Sequence, residues 1–197
     1  MKKIFMTLVC ILSFTAINAQ NNEVYILLNP STLHADGADG LSPFGIAAGY
    51  NRQVDLGCDN ALKLIAGGKI NYAWTSKNSV DWSFLKIAIP VSVGYHFQTG
   101  KLGIMPYAGI DASFYPLAQI KGNGETKSLF DEDEVTDLLK ASRLQLGWQV
   151  GVDFDYQNFV LGIGYQSDFT KFQDNVVGNV KTKTYFSEVE IKLGYRF

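Results

Sequence analysis

The chain has few cysteines, and no long apolar run follows residue 19. Cys10 lies within an apolar N-terminal run and Cys58 is alone in the remainder, so a disulfide framework is excluded and Cys58 has no assignable role. Apolar runs of about 20 residues, which membrane-spanning helices need, are also lacking. The 17 basic residues, two of them at the N-terminus, face 19 acidic ones, so no basic surface for nucleic acid is expected.

The first 19 residues have the organisation of a secretory signal peptide. Lys2 and Lys3 give a positive start, residues 4–14 form an apolar run, and Ile17-Asn18-Ala19 forms the exit. The apolar run is shorter than the roughly 20 residues of a transmembrane helix. The sequence predicts a cleaved signal peptide at 1–19 and one exported domain at 20–197.

The last thirteen residues alternate between apolar and polar or small side chains, which is typical of a β-strand. One face carries Tyr185, Ser187, Val189, Ile191, Leu193, Tyr195 and Phe197, and the other carries Phe186, Glu188, Glu190, Lys192, Gly194 and Arg196. The same alternation recurs at 62–74, 84–97, 143–156 and 159–166, and in weaker form at 23–29, 43–51 and 102–115. The sequence therefore predicts eight strands.

Several of these strands are longer than the about 5–6 residues usual in soluble sheets, and they reach the about 9–11 that a strand needs to cross a membrane. In hydrocarbon, every backbone N–H and C=O must be paired within the protein, so the strands must close into a ring. The predicted fold is all-β: an eight-stranded antiparallel up-and-down transmembrane β-barrel. The alternative is a soluble binding barrel, in which the apolar faces point inward around a ligand.

The polar faces of the strands mix small residues with charges of both signs. Side chains just fill the interior of an eight-stranded barrel, and an unpaired charge there is costly. We therefore expect a closed lumen held by a structural network of ion pairs, with Asp155 and Asp168 on the same faces. The predicted members of this network are Lys63, Lys69, Lys86, His96, Asp111, Arg143, Asp153, Glu188, Glu190, Lys192 and Arg196.

Aromatic residues fall at both ends of the strands, where a membrane barrel meets the two lipid–water interfaces. One set comprises Tyr95, Phe97, Tyr156, Phe159, Tyr195 and Phe197, and the other comprises Tyr72, Trp74, Trp82, Phe114, Tyr115, Phe169 and Tyr185. The sequence predicts that these sets form two lipid-facing girdles.

The connections between strands alternate in length. Short connections are expected at 53–60, 98–101 and 157–158, and longer ones at 30–41, 76–80, 118–141 and 171–182. Outer-membrane barrels have short periplasmic turns and longer outer loops, so both chain ends are predicted to face the periplasm. In loop 118–141, residues 131–139 fit either a short amphipathic helix or a solvated acidic loop. This loop is the first candidate for contact with an extracellular or envelope protein.

Four short motifs resemble a large family of bacterial outer-membrane β-barrels called porin-like or PorT-like. They are Ile89-Pro90 followed by Gly94-Tyr95-His96-Phe97, then Pro106-Tyr107-Ala108-Gly109, Gly151-Val152-Asp153-Phe154 and Gly194-Tyr195-Arg196-Phe197. The resemblance covers residues 22–197. It implies an outer-membrane location, contact with outer-membrane lipid, and recognition of Tyr195 and Phe197 in the last strand by the barrel-assembly machinery. It implies no particular activity.

No catalytic constellation is apparent, and we expect no enzyme activity, no cofactor and no metal. His34 has Asp36, Asp39 and Ser42 close in sequence, and enzymes that modify lipid A resemble this set in using His with Ser and an acid. Such a set requires hydrogen-bond reach, which sequence does not give, so His34 is interpreted as a solvated loop residue. The acidic residues 131–134 lack the spacing of a calcium loop.

These observations favour a small outer-membrane barrel with a filled lumen. We expect a structural or interaction role through the outer loops, in envelope integrity, surface contact or assembly. A narrow pore or transporter for small solutes is the alternative, and a lipid A-modifying enzyme is a third function class.

Overall fold

The computed structural model describes the chain from Asn22 onward with short gaps, namely residues 22–35, 38–56, 61–122, 124–130, 141–177 and 180–197. The predicted signal peptide, Asp36, Cys58 and the acidic segment 131–140 lie outside the described residues. In the described part of the chain, no helix is long and apolar enough to span a membrane.

The described residues form strands almost throughout. In chain order the strands are β1 Asn22–Ala35, β2 Ala38–Leu41, β3 Phe44–Asp55, β4 Leu62–Lys77, β5 Val80–Tyr95, β6 Phe97–Thr99, β7 Leu102–Gly122, β8 Glu125–Ser128, β9 Leu144–Tyr156, β10 Phe159–Asp168, β11 Gln173–Val177 and β12 Val180–Arg196. Eight of them are long. The four short strands pair with the ends of long ones: β2 with β1, β6 and β8 with β7, and β11 with β12.

The eight long strands form a closed antiparallel ring. Their order is β1-β3-β4-β5-β7-β9-β10-β12, and β12 returns to pair with β1 from Glu23↔Arg196 to Ala35↔Thr184. The ring leaves no open edge among the long strands, as a sheet in hydrocarbon requires. The predicted eight-stranded up-and-down barrel is confirmed. We call the end with Asn22 and Phe197 the terminal end, and the opposite end the distal end.

The apolar face of each strand points outward. Ile89, Val91, Ile191 and Leu193 are 48%, 39%, 51% and 50% exposed, whereas their polar neighbours Glu190 and Lys192 are buried. In water, an apolar belt of this extent would be a large aggregation-prone patch. The alternative of a soluble barrel with inward apolar faces is therefore wrong, and the exterior is that of a transmembrane barrel.

The distal connections are shorter than the sequence predicted. Residues 76–80 were expected to form a loop, yet β4 runs to Lys77 and only Asn78 and Ser79 connect it to β5. Both turn residues have positive φ, 55° and 61°, as in the two-residue hairpins whose twist matches that of paired strands. The paired strands β4 and β5 continue with polar residues beyond the apolar belt. A prediction that ended each strand where the polar residues begin therefore placed the strand ends too early. Similarly, β7 and β8 form a hairpin within 118–141.

The terminal aromatic set faces outward as predicted. Within it, the ring centroids of Tyr95 and Phe97 are 4.7 Å apart, and those of Phe159 and Tyr195 are 5.6 Å apart. In the distal set, the prediction is wrong for Tyr115, which is buried inside the barrel. Phe114 faces outward, and adjacent residues of a strand point to opposite faces, so Tyr115 must point inward. Trp82 also packs against the interior.

Candidate functional site: the filled barrel interior

The interior contains a charged layer towards the terminal end and an aromatic layer towards the distal end. The structure places ten of the eleven predicted network residues inside the barrel, with His96 and Arg196 half-buried at the terminal mouth. The buried members are Lys63, Lys69, Lys86, Asp111, Asp153, Glu188, Glu190 and Lys192.

Lys192 is the centre of the charged layer. Its Nζ donates to Asp153 Oδ2 at 2.6 Å and to Glu23 Oε1 at 2.9 Å. The ammonium also lies 5.5 Å from the ring centre of Tyr25 and 5.9 Å from that of Tyr107. These partners belong to β1, β7 and β9. Lys192 therefore connects β12 to β1, the strand that closes the ring with it, and to β7 and β9 across the lumen.

Two further lysines cross the lumen to β12. Lys86 Nζ donates to Glu188 Oε1 at 2.5 Å, and Lys69 donates to Glu190 and, at 2.7 Å, to Gln166 Oε1. The paired groups are buried, so water does not screen these attractions and each charge depends on its partner.

Glycines make room for these long side chains. A Cβ on Gly162 would lie 2.9 Å from Lys192 Cε, and one on Gly164 would lie 2.9 Å from the Tyr107 hydroxyl. Both distances are below normal contact, so any larger residue would displace the network. What remains in the middle is a cavity of about 30 Å³, room for about two water molecules.

The terminal mouth is open and polar. A vestibule of about 510 Å³ is lined by Lys63, Asp55, His96, Asp155 and Arg196 with several amides. His96 Nε2 lies 3.0 Å from Asp155 Oδ1, and Lys63 Nζ lies 2.5 Å from Asp55 Oδ1. The ion-paired layer above the vestibule separates it from the distal half of the barrel.

The prediction for Arg143 is wrong. This residue is exposed, its guanidinium lies 4.2 Å from the ring centre of Phe130, and it donates to the Pro116 carbonyl at 3.4 Å. Arg143 precedes the first residue of β9, Leu144, so the alternation of the strand does not fix its direction. It therefore binds the distal rim and takes no part in the interior network.

Sequence reasoning missed Glu23, which is 0% exposed and accepts from both Lys192 and Arg196. The signal was present, because Glu23 shares the inward face of β1 with Tyr25, Leu27 and Asn29 while Val24 faces outward. The weaker alternation of this strand hid it.

The distal layer is an aromatic cap, which the sequence did not predict. Phe186 contacts three other rings of the cap: the ring centroids of Phe172, Phe84 and Tyr115 lie 4.9, 5.2 and 5.6 Å away. Phe172 contacts the same set of rings, with Phe84 at 6.1 Å and Tyr115 at 5.1 Å. Leu129, Ala141 and Phe172 join the cap from segments outside the eight long strands. The cap closes the end of the lumen that the ion pairs do not fill.

Beneath the cap, acidic groups exceed basic ones. Three buried carboxylates, those of Asp111, Asp168 and Glu188, lie at this level of the lumen. The described lysine that donates a hydrogen bond at this level is Lys86, to Glu188. Ser113 donates to Asp111 Oδ2 at 2.6 Å. Among the described residues, no group of His, Cys, Asp and Glu has the arrangement of a metal site.

The interpretation of His34 as a loop residue is wrong, because His34 lies in β1 and contacts a serine of another strand on the outer wall. His34 Nε2 lies 3.0 Å from Ser187 Oγ, although the two residues are 153 positions apart. Ser187 is directly opposite Thr32 on β1 and Ser167 on β10, which places a row of hydroxyl residues across three strands. The side chains of Asp36 and Asp39 lie outside the described part.

No family model and no curated protein matches the chain. Solved structures do match. Neisserial surface protein A is 16% identical over 89% of this chain and 97% of its own, with a TM-score of 0.58. The outer membrane enzyme PagL is 11% identical over 89% of this chain and 99% of its own, with a TM-score of 0.56. The chain therefore has the fold of the small eight-stranded β-barrels of bacterial outer membranes.

Proposed function

We propose that the protein is a filled, non-conducting barrel of a bacterial outer membrane that acts through its distal end, in surface contact, envelope integrity or assembly. The observation that supports this most is the double closure of the lumen, by buried ion pairs at one level and by the aromatic cap at another. A barrel closed in this way has no open channel for solutes, so partners would bind its ends or its outer wall.

In this proposal the terminal end faces the periplasm and the distal end faces outward, the usual orientation of such barrels. The hairpin formed by β7 and β8 extends the distal end and is the first candidate for contact with an envelope protein. Tyr195 and Phe197 are exposed on the outer face of β12, where the barrel-assembly machinery would bind them during insertion.

The purified barrel is expected to give no steady conductance in planar bilayers. Heat-modifiable gel migration of the same sample would verify that the barrel is folded. A large and steady conductance would overturn the filled-lumen proposal. The transport alternative predicts solute uptake in liposomes that falls when Lys86 or Glu190 is changed, so uptake unaffected by either change would remove that alternative.

The His34–Ser187 pair favours a second candidate function, acyl transfer on a membrane lipid. Ser187 Oγ would attack the carbonyl carbon of a lipid ester while His34 Nε2 takes its proton and returns it to the leaving alcohol. Water would then hydrolyse the acyl-serine. The 3.0 Å separation meets the geometric requirement for the proton transfer. The alternation of β1 and β12 assigns the pair to the outer wall, where His34 is exposed and Ser187 is buried beside it.

This second candidate predicts that a fluorophosphonate probe labels Ser187 and that lipid A from producing cells loses an acyl chain. Ser187→Ala and His34→Gln are expected to lower both signals by about 100-fold or more, as loss of a nucleophile or base does. Ser167→Ala is the matched control, since Ser167 is the cross-strand neighbour of Ser187. An unlabelled protein with an unaltered lipid A spectrum ends this candidate and leaves the filled-barrel proposal intact.

A further inference from the structure

The outer wall has a groove at its distal end, remote from the His34–Ser187 pair. It has a volume of about 310 Å³ and crosses β4, β5 and β7. Its lining includes Tyr72, Trp74, Asp81, Ser83, Gln119 and Lys121. We call it the distal groove. Trp82 also lines the groove and packs against the aromatic cap, but the side chains named above take no part in the filled interior.

The floor of the distal groove is aromatic. The rings of Tyr72 and Trp74 are stacked, with centroids 5.8 Å apart and planes at 28°, and they are 45% and 42% exposed. Phe44 meets Trp74 edge-on at 5.9 Å and holds its ring in place. The floor is therefore a partly exposed aromatic platform, held by ring contacts at the boundary of the apolar belt.

The upper rim of the groove is polar. Ser76 Oγ donates to Asp81 Oδ1 at 2.5 Å, and Asp81 lies directly opposite Lys121 in the pairing of β5 with β7. Lys121 is exposed and makes no ion pair with the described residues. Gln119 and Ser83, also opposite each other, add an amide and a hydroxyl. Among the described residues, the rim thus offers the Lys121 ammonium, which has no ion-pair partner, together with several donors and acceptors.

Below the floor the wall is apolar, with exposed isoleucines and Phe114 of β7 opposite Ile87. Ile70 faces Ile87 across β4 and β5, and Ile46 is opposite Tyr72 across β3 and β4. All three isoleucines are exposed on the lipid side. A ligand seated in the groove would therefore have its polar head against the rim and its chains along this stripe.

We propose that the distal groove binds the headgroup of a phosphorylated glycolipid of the surrounding leaflet. The aromatic platform fits the C–H face of a sugar ring, since both are apolar, and the rim fits the sugar hydroxyls. Lys121 supplies the charge that a phosphate requires. A phospholipid headgroup would use the cation but leave the platform and most of the rim unpaired. The choice of ligand rests on the proposed outer-membrane location.

Native mass spectrometry of the intact barrel in detergent tests this proposal, with lipid A and phosphatidylglycerol as separate probes. Both probes carry phosphate, and only lipid A carries sugar rings. Trp74→Leu and Lys121→Gln are each expected to lower lipid A retention by about tenfold, the effect of losing a large aromatic contact or a charge-assisted hydrogen bond. Phosphatidylglycerol is expected to bind more weakly than lipid A from the start.

Matched controls are available on the same wall. Trp148→Leu removes an indole of β9 that contacts Tyr165 of β10 outside the groove lining, and Lys127→Gln removes a cation of β8 whose side chain is not part of the groove. Less than twofold change in both controls supports the proposal. Equal retention of the two lipids by the unmodified barrel, or equal losses in test and control variants, overturns it. Neither result bears on whether the lumen is filled, so the two proposals fail separately.

Discussion

Replacing Lys192 by methionine is expected to destabilise the barrel by about 3–5 kcal/mol, the cost of removing one partner from a buried ion pair. Lys192 neutralises both Glu23 and Asp153, and methionine would leave these carboxylates buried without their shared cation. Because Glu23 is on β1 and Lys192 on β12, the loss falls on the pairing that closes the ring. Urea titration of the barrel in liposomes, followed by heat-modifiable migration, measures the change.

Two further variants isolate the cause. Lys63→Met is the control, because the carboxylate it would leave behind, Asp55, has a side chain 30% exposed at the open terminal mouth, where water can solvate it; a cost of less than about 1 kcal/mol is expected. Adding Glu23→Gln and Asp153→Asn to Lys192→Met removes the uncompensated charges and is expected to recover most of the lost stability. Equal costs for Lys192→Met and Lys63→Met would contradict the assignment of Lys192 as the centre of the layer.

The sequence predicted the barrel because its alternation has a single physical cause. Successive residues of a strand point to opposite faces, so a row such as Val189, Ile191 and Leu193 against Glu188, Glu190 and Lys192 reveals two different environments. The strands are long enough to cross a membrane, and in hydrocarbon every backbone group must be paired. Together these two conditions require a closed ring of strands. No knowledge of which strands are neighbours was needed.

Features that depend on strand register could not be predicted in this way. Lys192 and Glu23 lie at opposite ends of the chain, and their contact follows from the pairing of β12 with β1. The same holds for His34 and Ser187, which meet through that seam. Alternation assigns each of these residues to a face, but the height on the barrel wall is set by the register.

The aromatic cap was missed for a different reason. Phe84 and Phe186 belong to strand faces whose other residues are polar or small, so each looked like an isolated exception to the pattern of its strand. Phe172 precedes β11 in a connection, where alternation gives no information. The exceptions share one level of the barrel, where four aromatic rings replace the ion pairs. The alternation pattern of each single strand does not show that these rings contact one another in the folded barrel.

Phe186→Ala is expected to cost about 3–5 kcal/mol of unfolding free energy, as removal of a buried aromatic ring does. Phe186 contacts the rings of Phe84, Tyr115 and Phe172, so the cavity would form within the cap and the neighbours could not close it by small shifts. Phe169→Ala is the control: Phe169 is exposed at the same end, and a change of about 0.5 kcal/mol is expected there.

The same variant also tests how the distal segments are held. Leu129 donates its N–H to the Ala118 carbonyl at 2.9 Å and Phe172 donates to the Thr184 carbonyl at 2.8 Å, and both side chains end in the cap. If the cap anchors these segments, Phe186→Ala accelerates trypsin cleavage in them before the barrel unfolds, because local opening then needs less free energy than global unfolding. Cleavage rates that change only in proportion to global stability would show that the backbone bonds hold the distal segments without the cap.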